Sequence, residues 1–209
     1  MITISDGILD ETRWRQAKRK VLFVLKEPGA DCGYKSLQEL FQKEWGGQAK
    51  YSFLNLARWA YGIQNTDESA YPTFAEASDK LVRDDAFFKS AIINLKKTPS
   101  TRADRSCDEE GVREYVISNQ ESIKDQIKLI RPDVIVCCSH LTYLLVDKML
   151  SGGRGEVVIL EAPHPSARAW KNKKGVIRRT AKDKYEDVMN DYRQSLDWED
   201  HTQHRSPVC

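Results

Sequence analysis

Among its five cysteines (Cys32, Cys107, Cys137, Cys138 and Cys209) the chain has no C-x-x-C spacing, and the number is odd. A disulfide scaffold and a thiolate zinc or iron–sulfur site are therefore excluded as its organising principle. No apolar run approaches the ~18 residues of a membrane span. The opening Met1-Ile2-Thr3-Ile4-Ser5-Asp6 lacks the basic-then-apolar layout of a secretion signal. An excess of one charge is missing too: 33 Lys and Arg stand against 31 Asp and Glu, a net charge of +2. A nucleic-acid partner must then be argued from where the charge sits. What is present suffices for a core, with 40% hydrophobic and 31% charged residues over 209 positions. The expectation is a cytoplasmic, reduced, monomeric protein with no membrane association, built as one domain over residues 1–196 with a polar tail at 197–209.

Four short apolar runs punctuate the chain: Lys20-Val-Leu-Phe-Val-Leu-Lys26, Ser90-Ala-Ile-Ile-Asn-Leu95, Asp133-Val-Ile-Val-Cys-Cys138 and Glu156-Val-Val-Ile-Leu-Glu161. Mostly β-branched and without strict alternation, they read as strands covered on both faces, the pattern of a parallel sheet. Between them lie helical stretches. Ser36-x-x-Glu39 and Thr73-x-x-Glu76 are capping boxes opening two of these. Val112, Val116, Ile123, Ile127 and Ile130 recur at helical spacing up to Pro132. His140 to Leu150 is a short apolar helix, and Lys182 to Leu196 a polar one. Strands alternating with helices predict an α/β fold, a three-layer sandwich with a central four-stranded parallel sheet flanked by helices.

Open parallel sheets bind ligands at the carboxyl ends of their strands. The first run is followed there by Lys26-Glu27-Pro28-Gly29, and the second ends on Asn94. Ser139-His140 follows the third, and Ala162-Pro163-His164-Pro165-Ser166 the fourth. A carboxylate, an amide, two imidazoles and two proline-stiffened turns thus converge on one edge. Duller readings stand beside these. His140 is equally well a helix N-terminal residue, and Cys137 and Cys138 read as inert core thiols. His201-x-x-His204 lies on a polar tail, a poor place for a metal pair. Ser151-Gly-Gly-Arg-Gly155 precedes its strand and reads as a helix stop.

These residues resemble the uracil-DNA glycosylase superfamily. Its first motif, of the type G-Q-D-P-Y, G-I-N-P-G or G-E-A-P-G, corresponds to Leu25-Lys26-Glu27-Pro28-Gly29. Its strand-two Asn, within T-N-V-V-K in the iron–sulfur branch, corresponds to Asn94 in Ile93-Asn94-Leu95-Lys96-Lys97. Its H-P-S motif is matched outright by His164-Pro165-Ser166, and the stretch 126–136 is similar to its helix–strand-three unit. The likeness covers roughly residues 20 to 170. Two departures stand out: Leu25 replaces the usual Gly, and Glu27 replaces Asp, Asn or Ala. The cluster cysteines of the G-E-A-P-G branch are missing, so the resemblance implies no cofactor and no metal.

The resemblance implies a monofunctional DNA glycosylase that flips a pyrimidine nucleotide and hydrolyses its glycosidic bond. Glu27 and His164 are the expected catalytic residues. A carboxylate near the anomeric carbon orients and deprotonates water or stabilises an oxocarbenium ion, and an imidazole donates to O2 as the base departs. Asn94 would read the base edge, Gly29 would leave its C5 side open, and Tyr51 or Phe53, in a stretch that also contains Tyr34, would stack on its face. The segment from Ser166 through Arg168, Trp170, Lys171, Lys173, Lys174, Arg178 and Arg179 is the expected contact with single- or double-stranded DNA. The expected substrate is a C5-modified cytosine of bacteriophage DNA, which would make the protein a defence enzyme. Uracil repair is the alternative. A non-catalytic DNA-binding module on the same fold is the second, and a small-molecule hydrolase lacking a G-x-S-x-G elbow a further one.

Overall fold

A computed structural model of the chain describes residues 3–29, 33–45, 50–68, 70–100, 107–151, 157–167, 170–172, 175–177 and 180–203, with backbone alone at 42–44, 50–52, 170–172, 175–177 and 197–203. All four expected strands form. β2 (Val21–Leu25) is central, with β3 (Ser90–Asn94) parallel on one side and β4 (Val134–Cys137) parallel on the other. β5 (Val158–Glu161) runs parallel to β4. The sheet is nevertheless five-stranded, because β1 (Gly7–Ile8) pairs antiparallel with β3 and gives the order β1-β3-β2-β4-β5. Two residues starting at a glycine carry no strand pattern of their own. β1 exists because Gly7 and Ile8 find Ile92 and Ala91 across the ladder.

Side-chain alternation along the fully covered strands builds two cores. Val21 and Phe23 of β2 face Leu37 and Phe41 of α2 (Leu37–Glu44), Leu56 and Trp59 of α3 (Lys50–Asn65), Phe87 of α4 (Lys80–Phe88) and Tyr185 and Met189 of α7 (Ala181–Gln203). Leu22 and Val24 face the opposite layer. It comprises Trp14 of α1 (Glu11–Trp14), the Val112–Ile130 stripe of α5 (Glu109–Ile130) and Leu141 and Val146 of α6 (His140–Leu150). Two helical layers thus sandwich a mostly parallel sheet. No helix among the described residues is long and apolar enough to cross a membrane.

Local signals operate largely as the sequence implies. Ser36 caps α2 by accepting from the Glu39 N–H at 3.0 Å. Arg131 adopts φ 53° to close α5 before Pro132. The Thr73–Glu76 box, however, opens only a 3₁₀ turn at Glu76–Ser78. The backbone extends at Asp79, whose carboxylate accepts from the N–H groups of Leu81 and Val82 and starts α4 in a new direction. The basic segment after His164 contains a hairpin, β6 (Trp170–Asn172) with β7 (Gly175–Ile177), that no hydrophobic pattern announces. α7 continues past Leu196 to Gln203, there being neither Gly nor Pro before Pro207 to stop it. Ser151 caps α6. The rest of the glycine segment to Gly155, together with Cys32, His204 and Cys209, lies outside the described residues, as does the His201 side chain.

Candidate active site

The β2–β3 register pairs Leu25 with Asn94. It is prolonged beyond the strands, where the N–H groups of Leu95 and Lys96 donate to the carbonyls of Leu25 and Lys26, each at 2.9 Å. Ser100 N–H then donates to the Pro28 carbonyl at 3.2 Å. Two consecutive strand exits are thereby zipped together, and the turn after β5 closes on them. Between them lies a cavity of about 550 Å3, in the range of small-molecule sites. Lys26, Glu27, Pro28 and Gly29 line it from β2, Asn94 and Ser100 from β3, and His164 and Pro165 from β5. Leu25, Tyr34, Leu37, Phe53 and Cys107 complete the wall. Glu27, Gly29, Asn94, Phe53 and His164, chosen from sequence, therefore share one cavity.

Glu27 is held more firmly than a turn residue needs. Its Oε2 accepts from Lys96 Nζ at 2.7 Å and its Oε1 from the Asp108 N–H at 2.8 Å. The side chains of Glu27 and Lys96 are only 4% and 11% exposed. The Cys107 thiol bonds the same carboxylate; burial pushes it up to about 12, Lys26 opposing and Glu27 and Glu109 reinforcing, so it remains a donor. A carboxylate offers about four lone-pair sites, which leaves room for one more donor. This is a fixed anion.

Asn94 is fixed through its backbone. Its N–H donates to Asp6 Oδ2 at 2.7 Å. The other oxygen, Asp6 Oδ1, accepts from Lys97 Nζ at 2.7 Å and Gln126 Nε2 at 2.9 Å. Burial lowers the pKa of Lys97, and Asp6 opposes that shift. The residue Asn94 is 2% exposed, and its carboxamide makes no hydrogen bond to any described residue. Asn94 lines the cavity.

His164 sits on a turn braced from three directions. Its carbonyl accepts from Ala167 N–H at 2.9 Å. Asn55 Nδ2, on α3, donates to the Pro165 carbonyl at 2.7 Å. Lys184, on α7, donates to the Ala167 carbonyl. Ser166 donates to Nδ1 of the ring twice, from its hydroxyl at 2.7 Å and its N–H at 3.3 Å. An N–H only donates, so Nδ1 carries no proton and Nε2 carries one. The surrounding protein, reinforced by Lys26 and Lys184, lowers the pKa to about 4. His164 is nevertheless an exposed residue, so the burial contribution, the largest of the causes, counts for less than in a closed site. The firm consequence is a neutral imidazole at pH 7 with an Nε2–H donor.

The remaining sequence candidates divide. Gly29 lines the cavity, and a Cβ built on it would meet no atom within 4 Å. Phe53 joins an edge-on aromatic cluster with Phe41 at 4.7 Å while lining the wall. The Tyr51 side chain lies outside the described residues, and Tyr34 lines the cavity instead. Ser166 commits its hydroxyl to His164. Trp170 and Lys171 are placed in β6 by backbone alone, and Arg168, Lys173, Lys174, Arg178 and Arg179 lie outside the described residues. His140, exposed at the start of α6, pairs with Glu161 at 3.0 Å and does not line the cavity. Cys137 and Cys138 are buried in opposite cores, with thiols pushed up by burial. No three His, Cys, Asp or Glu side chains among the described residues gather as metal ligands.

Sequence reading passed over Lys96, Cys107, Lys184 and Asp6. Lys96 had a usable signal, since the register that aligns Leu25 with Asn94 places residue 27 opposite residue 96. No protein-family model matches the sequence, and no curated protein matches it.

Proposed function

We propose that the protein is a monofunctional DNA glycosylase of the uracil-DNA glycosylase-like fold, excising a pyrimidine base by hydrolysis. The observation that carries this reading is that Asn94 lines the same cavity as the Nε2–H donor of His164 and the fixed anion of Glu27, its carboxamide being bonded to no other described residue. A flipped pyrimidine presents the donors and acceptors that Asn94 lacks. As the bond between C1′ and the base nitrogen lengthens, positive charge grows on the sugar and negative charge on the base. Glu27 stabilises the first and can accept one hydrogen bond from the attacking water; His164 Nε2–H meets the second at O2. Neutral imidazole suits that task because its donor needs no prior protonation. Lys96 is engaged by Glu27 and is not a free amine, so the chemistry proposed is hydrolysis without a lysine–sugar imine.

The open space at Gly29 supports a C5-substituted substrate, with bulky hydroxymethylcytosine derivatives of bacteriophage DNA as the leading class and uracil as the alternative. DNA is the proposed partner because seven basic residues lie between positions 168 and 182, directly after the His164 turn. One observation favours a rival. A carboxylate with three donors on it is also what a structural hub needs, as in a DNA-binding module without catalysis. Scoring alkali-labile sites in duplexes containing uracil, cytosine or modified cytosine separates the two: the enzyme creates such sites, and the module binds without creating any.

A further inference from the structure

We propose that Lys184 is a positioning residue of this site, a buried cation that ties the His164 turn to α7 and sets its charge beside the imidazole. Lys184 is 4% exposed, and its ammonium donates to the Ala167 carbonyl three residues beyond His164. Among the described residues no carboxylate pairs with it. Of its acidic neighbours on α7, Asp183 accepts from the Thr180 N–H at 2.8 Å, Glu186 pairs with Lys182 at 3.6 Å, and Asp187 also makes an interaction. Burying a lysine against a single carbonyl is unfavourable, and burial lowers its pKa accordingly. The turn needs only a neutral donor there, so the charge calls for a reason beyond the hydrogen bond.

The charged groups around His164 supply that reason. Lys26 faces it from the β2 exit, but Glu109 partly cancels Lys26 at 3.0 Å. Glu27 lines the same cavity and is cancelled by Lys96 at 2.7 Å. Cys107 is a protonated thiol. Behind burial and Lys26, Lys184 on α7 adds to the same downward shift, and among the described residues it has no carboxylate of its own. It penalises the imidazolium form, which would set an Nδ1–H against the Ser166 N–H and destroy the orientation of the ring. The same field favours negative charge arriving at Nε2–H, so Lys184 acts on the leaving base through His164.

The second effect rests on the glycosylase reading and the first does not, so the experiment measures both. The His164 imidazole is titrated by NMR in wild type, Lys184→Arg, Lys184→Gln and Lys184→Met. Wild type and Arg should titrate together near the depressed value. Gln, which retains a donor, and Met should both titrate higher by roughly half a pH unit or more, toward 6.5. Single-turnover base release should fall about tenfold in Gln, less than for removal of a direct donor, and the deficit should widen as pH is lowered. Adding salt to wild type gives a test that needs no variant: a buried cation is little screened, so the midpoint should hold. A folded Gln or Met variant with unmoved titration, or a wild-type midpoint that salt returns to 6.5, overturns the proposal. The expected titrations with no base released from any DNA would uphold it and remove the glycosylase reading instead.

Discussion

The Ser166 hydroxyl lies 2.7 Å from Nδ1 of His164, and the N–H of the same serine approaches that nitrogen from 3.3 Å. Two donors on one ring nitrogen fix the tautomer. His164→Ala should therefore lower the chemical step by roughly 10²–10³-fold, as for loss of an oxyanion donor. Ser166→Ala, which leaves the backbone donor in place, should cost less. The folded pKa is depressed below 6.5, so between 6.5 and the folded value the unfolded chain binds a proton that the folded chain refuses. The histidine's contribution to stability is complete above 6.5 and is lost as pH falls through this window. Urea midpoints measured from pH 7 to 4 should fall less steeply in His164→Gln than in wild type.

The Glu27–Lys96 pair separates chemistry from folding. Glu27→Gln should reduce single-turnover release by roughly 10²–10³-fold with DNA affinity nearly unchanged. Glu27→Ala should also destabilise by about 3–5 kcal/mol, because Lys96 is left buried without its anion. Adding Lys96→Met should recover much of that stability and none of the activity. Denaturant melts and rates on the same four proteins check this, and release at the wild-type rate by Glu27→Gln would remove the carboxylate from the mechanism.

How much of this was legible in the sequence follows from the range of each interaction. The four parallel strands and the α5 stripe are written in local runs of β-branched and periodic residues, and they form where read. Glu27, Asn94 and His164 are legible because strand exits are where a parallel sheet places its ligands. β1 is not, since its stability comes from a partner more than eighty residues away. Lys96 stands out in the sequence only as part of the Ile93–Lys97 segment, and Lys184 as one more charge in a basic run. Each is defined by a contact across the fold, with Glu27 and with the Ala167 carbonyl.

Gly29 separates the two substrate classes. Tyrosine at this position has open space for its Cβ, so Gly29→Tyr should fold normally while its ring occupies the C5 side of the cavity. Release of a bulky C5-modified base should be abolished and any release of uracil spared. Equal loss of both, measured on otherwise identical oligonucleotides, would place Gly29 away from C5.

The basic segment makes a salt prediction. In the sequence, Lys173 and Lys174 fall between β6 and β7. Replacing both by Ala should weaken binding to all DNA sequences alike and reduce the slope of log K against log salt by up to about two units. An unchanged slope would mean that neither lysine meets a phosphate.

Mass spectrometry of the bases freed from ordinary, uracil-containing and C5-modified-cytosine DNA tests the central claim most directly. Wild-type protein should release a free pyrimidine base, foremost the modified cytosine, leaving an unbroken strand with an abasic site, while Glu27→Gln and His164→Ala release little. Uracil release alone would keep the glycosylase and discard the modified substrate. Tight DNA binding with no free base from any of the three would contradict the account.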